Sequence, residues 1–251
     1  MEFIDTHTHP YLLTASLDRS IAHSKENNVT KWIGVAINIE TTKTLLSLNK
    51  SYPIIEPTIG IHPCEVHKHN KLHQLNQLLT DNSFVAIGEI GLDYHWHPEE
   101  ETKQKDYLYQ QLELAKTFNL PVIIHNRKAD ADIIQITNEY PKVPLVFHCF
   151  CSNEKFIEQT LTAYRYYSFT GLITYSKKGK TVRALKELPL SHIMLETDCP
   201  YLVPKSKKHY ENEPANIPEI AHHIAELKQI DIETVARSTT KTARQFFNLN
   251  E

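Results

Sequence analysis

Six residues of this 251-residue chain have the donor chemistry to hold divalent cations: His7, His9, Glu89, His125, His148 and Asp198. In Asp5-Thr6-His7-Thr8-His9 the two imidazoles are two residues apart at a strand terminus, so they point to the same side and can share one ion. His-x-His alone is a weak signal, and its alternative is a pair of exposed histidines near the chain terminus. His125 ends the apolar run Val122-Ile123-Ile124, and His148 ends Leu145-Val146-Phe147. A single His in such a place is ordinarily a core residue bonded to a neighbour; two of them, with His-x-His and two strand-end carboxylates, turn the balance toward metal. Four imidazoles and two carboxylates suit Zn, Mn, Fe or Ni, and Mg where water completes the shell. Six ligands exceed one tetrahedral site, so the expectation is two ions about 4 Å apart with Glu89 bridging them. His7, His9, Glu89 and Asp198 would surround one ion, and Glu89, His125 and His148 the other. Such a pair acidifies a water, and Asp198 is the expected general base. Asp5 has the alternative role of orienting a His ring.

These residues need a scaffold that brings distant segments together. Short β-branched runs alternate with longer amphipathic stretches, the pattern of repeated βα units on a parallel sheet. Strands are predicted at Phe3–Thr6, Lys31–Ile37, Ile54–Ile59, Phe84–Gly88, Val122–His125, Leu145–Phe147, Tyr166–Thr170 and Ile193–Glu196. Helices are predicted around Leu17–Asn27, Thr41–Lys50, Leu72–Leu79, Glu100–Phe118, Asp130–Glu139, Glu154–Ala163 and Lys178–Glu187, with two more after residue 215. The stripe Tyr107, Leu108, Gln111, Leu112 and Ala115 makes the fourth of these the clearest. Eight strands at this spacing predict an α/β fold of the (β/α)8 TIM-barrel type, with residues 1–251 as a single domain. Pro57 weakens the third strand. All six candidate ligands then fall at C-terminal strand ends, the rim on which barrel enzymes assemble their chemistry.

Composition narrows the function classes. The chain carries 15 His but only 6 Gly, where average usage would give about 18 glycines. No G-x-G-x-x-G dinucleotide loop is present, and Gly60, Gly88 and Gly91 flank the rim motifs. With 41% hydrophobic and 23% charged residues a sizeable core is available, and no apolar run reaches the roughly 18 residues of a membrane helix. The first residues show no signal or transit peptide, so a cytoplasmic protein without membrane association is expected. Cys64, Cys149, Cys151 and Cys199 form no C-x-x-C pair and are read as reduced thiols, mostly small filler. A net charge of −3 argues against a general nucleic-acid-coating surface but allows a local basic groove.

At six places the sequence resembles the TatD-type metal-dependent deoxyribonucleases among the amidohydrolase-like TIM barrels. They are Phe3-Ile4-Asp5-Thr6-His7-Thr8-His9, Gly60-Ile61-His62-Pro63, Ile87 through Tyr94, Ile124-His125-Asn126-Arg127, Phe147-His148-Cys149-Phe150 and Leu195 through Leu202. The resemblance runs through nearly the whole chain. It implies metal ligation by His7, His9, Glu89, His125, His148 and Asp198, and Mg- or Mn-supported exonuclease action on DNA. The chain departs from the family pattern at Cys64, Lys128 and Glu211, the last where an Arg is usual.

With that Arg missing, Arg127 is the best phosphate partner, because its planar fork matches phosphate oxygens; a salt bridge to a rim carboxylate is the alternative. His62 is a candidate for bonding substrate or water, with a capping role as its alternative. Lys177, Lys178 and Lys180, and Lys205, Lys207, Lys208 and His209, act only if they face the groove. Tyr94-His95-Trp96-His97 could stack bases or simply cover the barrel mouth. His67, His69 and His73 are read as surface residues. The expected function is a divalent-metal-dependent phosphodiesterase, a 3′–5′ DNA exonuclease using two ions (Mg, Mn or Zn) with no obligate protein partner. The competing readings are hydrolysis of a small-molecule amide, ester or lactam, and a non-catalytic binding protein. Amidohydrolases often carry a carboxylated Lys after strand four, where this chain has Glu89, and six intact ligands speak against loss of catalysis.

Overall fold

Each strand of the chain hands over to a helix, in the order β1 (Phe3–Thr8), α1 (Leu17–Glu26), β2 (Val29–Gly34), α2 (Ile39–Ser51), β3 (Ile55–Ile59), α3 (Leu72–Asp81), β4 (Ala86–Asp93), α4 (Glu101–Phe118), β5 (Val122–Arg127), α5 (Asp130–Asn138), β6 (Leu145–Phe147), α6 (Glu154–Thr160), β7 (Arg165–Phe169), α7 (Lys180–Glu187), β8 (Ile193–Leu195), α8 (Ile217–Lys228) and α9 (Ile232–Phe247). This computed structural model describes residues 1–68 and 72–249; His69, read above as a surface residue, lies outside the described residues. The eight strands follow one another in a single sheet in the order β1 to β8, and the pairs β1–β2, β3–β4, β4–β5, β5–β6 and β7–β8 run parallel. That is the order a (β/α)8 fold requires. No helix among the described residues is long and apolar enough to cross a membrane.

Three strands run further than their apolar runs suggest. β1 contains His7 and Thr8, β4 continues through Glu89 to Asp93, and β5 reaches Arg127. The reason is that ladder hydrogen bonds use backbone groups and need no apolar side chain; Gly91↔His125, Leu92↔Asn126 and Asp93↔Arg127 carry the β4–β5 pairing onward. Pro57 sits inside β3 and lends its carbonyl to the Val85 N–H at 3.1 Å, so its missing N–H does not stop the strand.

The chain forms two compact units. One comprises residues 1–34, 149–158 and 167–251, and the other residues 35–148 and 159–166. In the first, β1 lies on β2 and β7 on β8, with a parallel bridge between Thr8 and Cys199. Helix α9 covers β1 and β8 with Val235, Ala236, Thr239, Ala243, Phe246 and Phe247. Its start is capped by the Asp231 carboxylate, which accepts the Thr234 N–H at 2.6 Å.

In the second unit α4 lies on β4 through the expected stripe, joined by Gln104. Two glutamines on an apolar face need partners, and each clamps a strand end. Gln111 accepts from the Ile61 N–H (2.7 Å) and donates to the Ile61 carbonyl (3.2 Å). Gln104 accepts from the Asp93 N–H (2.7 Å) and donates to the Asp93 and His97 carbonyls. Buried amides thus satisfy backbone groups where the strands leave the sheet.

Arg165, 1% exposed, does the same at the opposite end of the strands. Its guanidinium donates to the carbonyls of Val143 (2.8 Å), Tyr164 (3.2 Å), Thr137 (2.7 Å) and Tyr140 (3.0 Å). Replacing it takes a charged donor from all four carbonyls, of which those of Tyr164, Thr137 and Tyr140 keep a backbone N–H. Arg165→Met is expected to lower the unfolding free energy by roughly 3 kcal/mol or more, read from the urea midpoint at constant slope. A loss below about 1 kcal/mol would show that the guanidinium is dispensable.

Candidate metal centre

The carboxylate of Glu89, 4% exposed, collects three imidazoles. His125 Nδ1 lies 2.7 Å, His148 Nε2 2.8 Å and His62 Nε2 3.4 Å from the same oxygen, Oε1. His125 Nδ1 and His148 Nε2 are themselves 3.4 Å apart. Local sequence explains why Glu89 points here. The β4–β5 register shifts between Ile87 and Ile90, an irregularity of the kind that re-aims one side chain within a strand. The Glu89 N–H is held by the Ala36 carbonyl at 2.8 Å. Next to it, Gly91 has φ +147°, and a Cβ there would stand 2.0 Å from the His125 carbonyl oxygen. Only glycine lets β4 pass this close to the strand that carries His125.

Two further groups fix the tautomers. His125 Nε2 is 3.0 Å from Asp93 Oδ2, so Nδ1 is the nitrogen turned to Glu89. Burial alone would lower the His125 pKa, but the bonds to Asp93 and Glu89 outweigh it and raise it. Asp93 is held well below the usual carboxylate range: burial opposes this, and hydrogen bonds from His125 and the N–H groups of Trp96 and His95 overcome it. His62 Nδ1 accepts the Cys64 N–H at 3.1 Å. Burial lowers the His62 pKa despite Glu89, so the neutral ring carries its proton on Nε2 and presents a donor. Of the two alternatives expected for His62, the capping role is present on this ring.

In the other unit Asp198 collects the remaining histidines. His7 Nε2 and His9 Nε2 lie 3.5 and 3.4 Å from Asp198 Oδ1. The Asp198 N–H donates to the His7 carbonyl at 2.8 Å, and the His9 N–H to the Cys199 carbonyl at 3.0 Å. Asp198 has φ +56°, a conformation Asp tolerates better than most residues. Among the described residues Asp5 bonds no imidazole, where the alternative expectation had it orient a ring. Its carboxylate accepts from the Thr197 hydroxyl (2.5 Å), the Thr197 N–H (2.9 Å) and the His7 N–H (3.3 Å), fastening β1 to the loop after β8. Burial pushes its pKa up to about 8 against those bonds.

The donor chemistry fits divalent ions. In the second unit, His62, Glu89 and His125 offer ligand atoms within 4.8 Å of one another, and the His125 and His148 nitrogens crowd one carboxylate oxygen where a cation would satisfy both. Sequence reasoning gave no role to three residues that hold this arrangement. Asp93 stands behind His125, Glu196 accepts from the Cys149 N–H (2.5 Å) and the Ser168 hydroxyl (2.6 Å), and the Tyr11 hydroxyl lies 3.0 Å from His9 Nδ1. Asp93 and Glu196 were visible as carboxylates beside the strand-end motifs; Tyr11 gave no signal.

The surface candidates divide. Arg127 makes no ion pair among the described residues, and its guanidinium lies over the Trp96 ring, 5.4 Å from the centroid. Lys177 pairs with Glu226 at 3.0 Å, while Lys178 and Lys180 border a cavity of about 260 Å³ over Phe150 and Phe169. Lys205, Lys207, Lys208 and His209 are exposed. Glu211, at the position where an Arg is usual, accepts the Thr14 N–H (3.2 Å) and bonds the Thr14 hydroxyl.

The family model described as TatD related DNase matches residues 4–248. The chain belongs to the TatD family. It is 33% identical to the uncharacterized metal-dependent hydrolase YabD of Bacillus subtilis, over 98% of this chain and 99% of the relative. It is 31% identical to the 3′-5′ ssDNA/RNA exonuclease TatD of Edwardsiella piscicida, over 91% and 92%. The crystal structure of YjjV, a TatD homologue of Escherichia coli, superposes with a TM-score of 0.93 at 29% identity, covering 99% of this chain and 98% of that one. This TatD-family protein is thus a (β/α)8 barrel and a metal-dependent hydrolase. Removing the group behind a metal-binding His weakens affinity by about 10- to 100-fold. Asp93→Asn is therefore expected to weaken Mn²⁺ binding by about that factor in calorimetric titration, and an unchanged affinity would deny Asp93 its supporting role.

Proposed function

We propose that the protein is a divalent-metal-dependent phosphodiesterase that removes nucleotides from the 3′ end of DNA. The observation that carries the hydrolytic part is the convergence of His62, His125 and His148 on one oxygen of buried Glu89. In this reading His7, His9, Glu89, His125, His148 and Asp198 would hold two ions (Mg, Mn or Zn), Glu89 would be a ligand common to them, and residues 1–251 act as one catalytic domain. Bound divalent ions supply acidification of water and neutralisation of phosphate charge.

The side chains do the rest. Asp198 takes the proton of the attacking water, its backbone N–H anchored on the His7 carbonyl and its carboxylate flanked by two imidazoles. His62 Nε2–H donates to a phosphate oxygen, a role consistent with its Cys64-fixed tautomer. Arg127 offers its planar fork to a second phosphate oxygen, and the absence of a carboxylate partner among the described residues supports that use. The choice of nucleic acid as substrate is supported by the relative named as an exonuclease. Glu89 within β4, in place of the carboxylated Lys that amidohydrolases often carry there, speaks for it over amide, ester or lactam hydrolysis.

Single-stranded DNA, labelled at each end in turn and incubated with Mg²⁺, Mn²⁺ or Zn²⁺, is expected to shorten from the 3′ end; RNA and a simple phosphodiester serve as comparisons. Failure to digest any nucleic acid with any of these ions would favour a small-molecule substrate. Asp198→Asn is expected to reduce turnover by about 100-fold or more while leaving most of the metal bound. Full activity in that variant would remove Asp198 as the base.

A further inference from the structure

We infer that Trp96 is a stacking platform for a base of a single-stranded nucleic acid, with Arg127 beside it for the adjoining phosphate. The inference rests on the nucleic-acid reading above and adds a binding residue to it. Trp96 is 61% exposed, whereas Trp32 is fully buried. An indole covering the barrel mouth as structural filler would lose most of its surface to the protein, and this one does not.

Trp96 is nonetheless held in place. Its backbone N–H and that of His95 both donate to Asp93 Oδ1 at 2.9 Å, and the other oxygen of that carboxylate holds His125 Nε2 at 3.0 Å. One side chain therefore sets both a ring of the Glu89 cluster and the turn that presents the indole. The turn is tied down again where the Tyr94 N–H donates to the Arg127 carbonyl at 2.9 Å and the Tyr94 hydroxyl to Asp132 at 2.7 Å. His95 meets the indole edge-on at 4.7 Å between centroids.

Arg127 completes the chemistry. It is two residues beyond His125 on β5, so both project to the same side of the strand. Its guanidinium lies over the indole at 5.4 Å, an arrangement that fixes the cation and leaves its in-plane N–H groups for phosphate oxygens. A fixed, exposed aromatic ring next to an unneutralised planar cation is complementary to a base and its phosphate, and stacking of this kind tolerates every base.

The two tryptophans make the test direct. Wild-type protein is titrated with a fluorescently labelled phosphorothioate oligothymidylate and with an abasic strand of equal length and charge, following dye anisotropy and emission excited at 295 nm. The expected result is binding of the oligothymidylate with quenched tryptophan emission, and weaker binding of the abasic strand with little quenching. Trp96→Ala should weaken oligothymidylate binding by about 5- to 100-fold, Trp96→Phe should recover much of the loss, and circular dichroism should report whether each variant is folded. Oligothymidylate binding that leaves the emission unchanged, or equal affinity for the two strands, overturns the role of Trp96 and leaves the nuclease reading standing. No binding of either strand by the wild type overturns both.

Discussion

A buried carboxylate is tolerable only when its charge is answered, and the Glu89 side chain is answered by three imidazoles at once. Much of the second unit serves that requirement. The register shift in β4 turns Glu89 toward the histidines, and Gly91 lets the strand slide past the His125 carbonyl. Gln104 of α4 grips the Asp93 backbone, and Asp93 in turn grips His125. A helix stripe, a strand irregularity and a glycine thus converge on the orientation of one carboxylate.

The first unit solves the same problem by another route. Asp198 lies beyond β8 rather than in a strand, and its position comes from backbone bonds to β1 through His7 and Cys199. Asp5 secures the junction by binding the Thr197 hydroxyl and N–H. That buried carboxyl works as a structural bolt between β1 and the β8 loop because its bonds go to Thr197 and to the His7 N–H.

The groupings of His125 and His148 on Glu89 and of His7 and His9 on Asp198 were legible in the sequence because these residues sit at or near the ends of strand-like runs, and strand ends are where a barrel gathers its chemistry. The order of eight strands was legible for the same reason of alternating pattern. What escaped was support that depends on tertiary direction. Nothing in the local sequence says that Gln104 will clamp Asp93, that Asp93 will face His125, or that Tyr11 will reach His9. The ends of β1, β4 and β5 were placed too early because the apolar run stops before the backbone ladder does. Lys177 looked like a rim cation in sequence and pairs with Glu226, 49 residues away.

The central claim is that Glu89 serves two ions, and metal content tests it most directly. Purified protein saturated with Mn²⁺, desalted and measured by elemental analysis should carry two ions per chain, falling to one or none in Glu89→Gln. One ion per chain in the wild type at saturation, or two in the variant, would contradict a shared Glu89.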